Sequence, residues 1–348
     1  EPEDEVNIHF TGDAHAVGSA HNLLVALTDN VAQRGKISGF SPQGVTMRRV
    51  TDVEERSLRS VLTGLGGKAN APLRETGFDI VTASEVMAIL ALSSNLEDLR
   101  VRLSKIVVGY KDDGTPVQAE EINAVGSMMS LLRYAIQPNI VQTTEGQPVF
   151  VHTGPFGNIA HGCCSVVSDQ LALGYADYVL TEAGFGADLG FEKFMHIKAH
   201  YSGKSPDCVV LNVTVRSMKL HGGAFGDRAA RRPSSKEIAK ENVDAVREGA
   251  ISNLDRHIRN MKAFSVPVIV SVNRFASDTD AELDCLIACA RASGATEVCL
   301  TEVHTNGGEG GSALAKAVVG SCKDHLAAGR PFTPLFNHDA PVEEKALR

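Results

Sequence analysis

In the second half of the chain, hydrophobic positions fall in short, near-continuous runs at 148–152, 177–182, 208–216, 266–275 and 296–303. Runs such as Val266-Pro267-Val268-Ile269-Val270-Ser271-Val272 are rich in β-branched residues and predict strands buried on both faces of a parallel sheet. Between them, apolar residues recur with helical period near 163–175, 238–262, 279–292 and 311–327. This alternation predicts α/β architecture: a mostly parallel sheet with helices on both faces and right-handed crossovers.

The first half is less regular. Asn7-Ile8-His9-Phe10 reads as a strand, Thr11-Gly12-Asp13 as a turn, and Ala14 onward as a helix for which Thr11 and Asp13 are natural caps. Helical patterns are expected at 53–64, 83–93, 95–105 and 119–136, and Asp112-Asp113-Gly114 between valines predicts a hairpin. The expected organisation is a strand and helix of the main α/β domain at 1–40 and a smaller α+β insertion at 41–147. The main α/β region at 148–330 and a connection at 331–348 follow.

Composition changes this picture little. The 348 residues are 43 % hydrophobic and 22 % charged, ordinary for a globular chain. A net charge of −8 argues against a general nucleic-acid binder, and the basic run at 228–232 reads as a solvated loop. Seven scattered cysteines without a C-x-x-C predict free thiols in a reducing compartment, with cytosol ahead of mitochondrial matrix. No apolar run suits a membrane span, and Glu1-Pro2-Glu3-Asp4-Glu5 is no signal sequence, so the chain is expected to begin inside a longer polypeptide.

Ligands of open α/β sheets bind beyond the carboxyl ends of strands, and polar punctuation gathers there in this chain. His9, Asp13 and His15 supply two imidazoles and a carboxylate, readable as an active-site cluster, as cap-associated residues or as metal ligands. No fourth ligand is obvious, and no metal site is assigned. His21 shares a helix face with Val17 and Leu24, the pattern of a satisfied core histidine. His152 precedes the glycine-rich stretch Gly154-Pro155-Phe156-Gly157-Asn158-Ile159-Ala160-His161-Gly162, either a structural turn or a cradle for an anion. Three glycines around Phe185, in 182–190, allow that ring to be presented to a flat ligand. Asn273 and Thr301, at the ends of later strands, are candidate adenine contacts.

Three strings carry a family resemblance: NIHFTGDAHAVGSAHNLL at 7–24, GPFGNIAHG at 154–162 and TEAGFGADLG at 181–190. With GFDIVTASEVMAIL, TVRSMKLHGG, VNRFASDT and GGEGG in the same order, the chain resembles the formate–tetrahydrofolate ligases over almost its whole length. The resemblance implies a P-loop-NTPase-like sheet and ATP-dependent ligation of formate to tetrahydrofolate through formyl phosphate, giving 10-formyltetrahydrofolate. It implies ATP with Mg2+ and tetrahydrofolate as substrates, a monovalent cation, a homo-oligomer, and neither nucleic-acid nor membrane partners. His9, Asp13, His15 and His152 would then line the catalytic cleft. Phe185 would stack on the pterin, with Phe275, Leu300 and His304 as further walls of its pocket.

The chain departs from the family pattern in three ways. No G-x-x-x-x-G-K-S/T phosphate loop and no substrate-loop arginine of the family pattern occurs in these residues, so the chain alone is expected to be inactive. A segment beyond Arg348 is expected. His304 stands where the family has a pterin-stacking tryptophan, and Ala276 replaces a proline. These changes keep open the alternative of a non-catalytic folate-binding or assembly paralogue.

Overall fold

A computed structural model describes residues 12–53, 55–67, 70, 72–226, 233–329 and 332–347. The expected strand at 7–10, the cap Thr11, the candidate His9 and the basic run at 228–232 lie outside the described residues. The chain forms two compact units, dividing between Gly203 and Lys204.

The first unit is organised by helix α1, Asp13–Gln33. Val17, Ala20, Leu24 and Val31 recur at helical spacing and enter the core. Around α1 stand short strands β1 (Arg49–Thr51), β2 (Val61–Thr63), β3 (Arg74–Thr76) and β4 (Phe78–Ile80), with β1 parallel to β4 and β2 antiparallel to β3. Helices α2 (Glu85–Leu92) and α3 (Leu96–Ser104) begin at Ser84 and Asn95, whose side chains accept N–H groups of the first turn. Strands β5 (Val107–Tyr110) and β6 (Pro116–Gln118) form the hairpin that Asp112-Asp113-Gly114 predicts. Helix α4 (Val125–Leu132), the antiparallel pair β7 (Asn139–Gln142) and β8 (Pro148–Val151), and helix α5 (Val166–Tyr175) follow. Asp29 on α1 ties strands together through Arg49 at 2.8 Å and Arg74 at 2.7 Å.

His21 is buried. Its Nε2 lies 2.8 Å from the Arg48 carbonyl, which can only accept, so Nδ1 accepts from the Ser84 hydroxyl, also 2.8 Å away. Burial holds the imidazole neutral by pushing its pKa down.

The second unit is built on a three-stranded parallel sheet whose strands lie in the order Glu297–Thr301, Val268–Asn273, Val209–Val213. Strand β9 (Val209–Val213) leads to α6 (Val215–His221), whose Thr214–Ser217 capping box satisfies its first turn. Helices α7 (Val243–Gly249) and α8 (Asp255–Lys262) precede β10 (Val268–Asn273), buried from Val268 to Val272 as its continuous apolar run predicts. Helix α9 (Asp280–Ala292), strand β11 (Glu297–Thr301) and helix α10 (Ser312–Ala327) complete the alternation. Helices α6 and α7 meet through glycine: a Cβ on Gly222 would lie 1.8 Å from the Ala245 carbonyl oxygen, and one on Gly249 2.0 Å from that of Met218. Beside them, Lys219 and Glu282 form a buried ion pair at 2.6 Å, and Lys219 also donates to the carbonyls of Ile238 and Lys240.

The molecule is thus a mixed α/β protein of small sheets and many helices, and three expectations change. Residues 148–151 do form a strand, but it pairs antiparallel with β7 instead of joining the parallel sheet. Residues 177–182 form no strand: among the described residues no neighbour offers the ladder partners a strand needs, and Leu180 is exposed. The helix expected at 53–64 is replaced by a short 3-10 turn at Arg56–Leu58 and strand β2, where β-branched Val61 and Thr63 flank Leu62.

Candidate active site

Asp13 is not the helix cap expected of it. The cap position is Gly12, left-handed at φ 72°, and no side chain bonds the first turn from there. Asp13 occupies the first helical position, where the helix dipole favours a carboxylate, and its Oδ2 accepts the Thr153 N–H at 2.7 Å. The bond joins the start of α1 to the residue two beyond β8, across 140 positions of sequence.

Thr153 is the unusual residue of the pair. It has φ 58°, a left-handed conformation that a β-branched side chain adopts only under strain, and its buried hydroxyl has no hydrogen-bond partner among the described residues. Its neighbour His152 explains how it is held. The His152 Nε2 lies 2.6 Å from the Ala135 carbonyl and so donates, leaving Nδ1 to accept from the Ser165 hydroxyl at 2.6 Å. Ser165 in turn caps α5 through the Ser168 N–H. Burial lowers the His152 pKa, so a neutral ring with both nitrogens engaged fixes the backbone at Thr153.

The glycine-rich stretch after Thr153 packs directly on the glycine-rich stretch around Phe185. The Gly184 N–H donates to the Gly162 carbonyl at 3.1 Å, and Cys163 and Ala183 form an isolated β-bridge. A Cβ on Gly157 would lie 2.6 Å from the Phe185 ring, and one on Gly190 1.6 Å from the Gly184 carbonyl oxygen. Gly190 therefore requires glycine, whereas a side chain at Gly157 would have to displace the exposed Phe185 ring. Lys193 clamps the first stretch by donating to the carbonyls of Gly157 and Ala160, each at 2.8 Å. Phe185 itself has φ 65° and is 66 % exposed, so a large apolar ring is held out on a strained backbone.

Behind the loops lies a buried charged layer that sequence reading missed. Lys198 is wholly buried, 2.6 Å from Asp169, with its ammonium 5.1 Å over the Phe194 ring. Burial, with Lys198 and Lys193 nearby, pushes the His161 pKa down to about 4, and its Nε2 has no hydrogen-bond partner among the described residues. Burial pushes the Cys163 thiol up to about 12, which makes it inert. No sequence signal marked this layer, because the π-helical turns that bring Lys193 and Lys198 into it are not written in an α-helical period.

The remaining candidates fall as follows. His15 is exposed on α1. In the second unit, Asn273 and Thr301 are register partners at the ends of β10 and β11. Thr301 is buried, its hydroxyl 3.1 Å from that of Ser271. Phe275 is half-buried, with the Arg216 guanidinium 4.1 Å over its ring, and its N–H donates to Asp278 at 2.8 Å. Leu300 is half-buried on β11, and His304 is exposed just after it. Among the described residues, no three His, Cys, Asp or Glu side chains converge to hold a metal ion. No described helix is long and apolar enough to cross a membrane.

The structure therefore holds an acid at a helix start bonded to a strained threonine, and an exposed aromatic on interlocked glycine loops. Comparison with known proteins gives it a family. The sequence profile of formate–tetrahydrofolate ligase matches residues 1–347, and the chain belongs to that family. It is 48 % identical over 344 residues to the formate–tetrahydrofolate ligase of Roseiflexus castenholzii, covering 99 % of this chain and 60 % of that protein. The ligase of Desulforamulus reducens is 49 % identical, with the same coverage, and that of Symbiobacterium thermophilum is 50 % identical over 319 residues, 91 % of this chain and 55 % of its own. The chain thus spans about 60 % of the length of the curated relatives it matches.

Proposed function

We propose that this chain forms the folate-binding part of an ATP-dependent formate–tetrahydrofolate ligase. The observation that carries the reading is the exposed Phe185 ring, held at φ 65° on two glycine stretches locked together. An exposed apolar ring held outward by its backbone suits a flat pterin.

In the reaction, a formate oxygen takes the γ-phosphoryl group of ATP and ADP departs. N10 of tetrahydrofolate then attacks the formyl carbon; the new C–N bond replaces the C–O bond to phosphate, and N10 loses its proton. Asp13 and the unpartnered Thr153 hydroxyl are the groups proposed to orient the reacting formyl end. His152 acts as a positioning residue, because both its nitrogens are committed to Ser165 and Ala135. His9 and His15 are proposed to line the same cleft, and Phe275, Leu300 and His304 to give the folate further contacts. Asn273 and Thr301 are proposed nucleotide contacts at the sheet ends.

The finer architecture belongs to this proposal: a P-loop-NTPase-like parallel sheet, with residues 148–330 as the nucleotide- and folate-binding region, 41–147 as an α+β insertion and 331–348 as a connection. A homo-oligomer in the cytosol is likewise proposed. Mg2+ would enter with the nucleotide, and the described residues provide no convergent carboxylate set of their own for it or for a monovalent cation.

The chemistry is tested with a polypeptide that carries this chain within the full family length, given 18O-labelled formate, ATP and tetrahydrofolate. One labelled oxygen should appear in inorganic phosphate, because the phosphorylated oxygen leaves with it. Product formed without label in phosphate would overturn the formyl phosphate route.

A further inference from the structure

We infer that Cys208 and Cys322 form a redox couple in the second unit, and that its oxidation to a disulfide fastens helix α10 to the sheet. Cys208 immediately precedes β9, and Cys322 lies in the last turns of α10. The two half-buried thiols are in contact, with the Cys208 S–H donating to the Cys322 sulfur. Strands β9, β10 and β11 are parallel, so Cys208 stands at the shared amino end of the sheet. Helix α10 follows β11 and runs back along the sheet, which brings its last turns to the same end. Contacting thiols on two separate elements meet the requirement that their side chains converge.

Helix α10 is also an element that a covalent link would change. Among its described residues only Ser321, next to Cys322, is buried, and Leu326 is 64 % exposed. A helix with so few buried side chains opens locally at low cost, unlike β10, which is buried from Val268 to Val272. A disulfide beside Ser321 suppresses those openings by restricting the detached state. Asn273 and Thr301 lie at the opposite, carboxyl ends of the strands, so the couple sets how firmly α10 is held and leaves those candidate contacts in place.

A second thiol pair lacks this geometry. Cys285 and Cys289 also hydrogen-bond, but they stand one turn apart on α9. Their Cβ atoms project from one helix in nearly parallel directions, and closing a disulfide there would distort it.

The oxidant is a low-molecular-weight disulfide. The Cys322 thiol gives up its proton and its sulfur attacks one sulfur of the oxidant; that S–S bond breaks and one small thiol leaves. Cys208 then loses its proton and attacks the Cys322 sulfur of the mixed disulfide, expelling the second small thiol. The chain loses two electrons and two protons, and the oxidant becomes two thiols. Burial pushes the Cys208 thiol up to about 12. Burial and Asp207 raise Cys322 as well, but the hydrogen bond from Cys208 works against them, so Cys322 ionises first and exchange is slow at neutral pH.

The test treats the whole 348-residue chain with glutathione disulfide, maps crosslinks by mass spectrometry of alkylated digests, and follows amide hydrogen exchange in α10. A Cys208–Cys322 crosslink should dominate, and exchange across α10 should slow by about tenfold or more, returning to its first rate after dithiothreitol. Cys208→Ser and Cys322→Ser should each abolish the slowing while leaving exchange of the reduced chain as it was; Cys285→Ser/Cys289→Ser should keep it. No crosslink, a crosslink elsewhere, mixed disulfides with glutathione only, or a Cys208–Cys322 crosslink that leaves α10 exchange unchanged would each overturn the couple.

Discussion

Thr153 concentrates the argument at the scale of single residues. A β-branched residue in the left-handed region and a buried hydroxyl without a partner among the described residues are two separate costs at one position. Replacing it with glycine removes both but gives up the buried methyl group and frees the unfolded chain, so Thr153→Gly should change unfolding stability by less than about 1 kcal/mol. Urea denaturation measures this, and formyl transfer in the full-length protein should fall in the same variant. His161 gives a prediction with a definite sign. Its pKa is about 4 in the folded chain against 6.5 for an ordinary histidine, so between these values the unfolded chain takes the proton first. Stability is therefore full above about pH 6.5 and is lost as pH falls towards 4, by up to about 3 kcal/mol from this group. Buried His21 and His152 slope in the same direction. Substitution His161→Gln should flatten the acid limb of a stability–pH curve. The polar residues at 13 and 152–153 were legible in sequence as a cluster. Their roles were not, because a cap and a first-turn acid look alike in sequence, and nothing local reveals that His152 spends both nitrogens on Ser165 and Ala135.

At the scale of elements, close approach of backbones decides which residues are tolerated. The loop pair that carries Phe185 closes over Gly190, and α6 and α7 close over Gly222 and Gly249. Gly190→Ala should cost about 2 kcal/mol or more and perturb folate binding, since the displaced backbone holds the ring; Gly249→Ala should cost a similar amount in the second unit. Parallel thermal melts and folate titrations separate the two. Breaking the buried pair with Lys219→Met should cost about 3–5 kcal/mol, because Glu282 would be left charged and buried, whereas replacing both partners with apolar residues should cost far less. The helices at 85–92 and 280–292 and the strands β9 to β11 were legible because period, caps and β-branched runs agreed there, and the helix at 312–327 from its period alone. Residues 177–182 misled for the opposite reason: their composition favours a strand, but a strand exists only where a second strand supplies its hydrogen bonds.

For the whole molecule, two compact units divide at Gly203, itself left-handed at φ 65°. The α/β class was readable from the alternation after residue 148, and the family from motif strings spread along the chain. The division was not, since no Pro- or Gly-rich linker longer than Gly203-Lys204-Ser205-Pro206 marks it and the alternation runs across it. What organises the account at this scale is the Phe185 platform, and one substitution separates its ligand role from its structural one. Phe185→Gly deletes the ring and relieves the left-handed strain, so the fold should lose little stability. Tetrahydrofolate affinity should fall by roughly 30-fold, the equivalent of about 2 kcal/mol of stacking and burial. Isothermal titration of the original and substituted chains with tetrahydrofolate, alongside their melting curves, reads both quantities. Unchanged affinity in a folded Phe185→Gly chain would contradict the pterin platform.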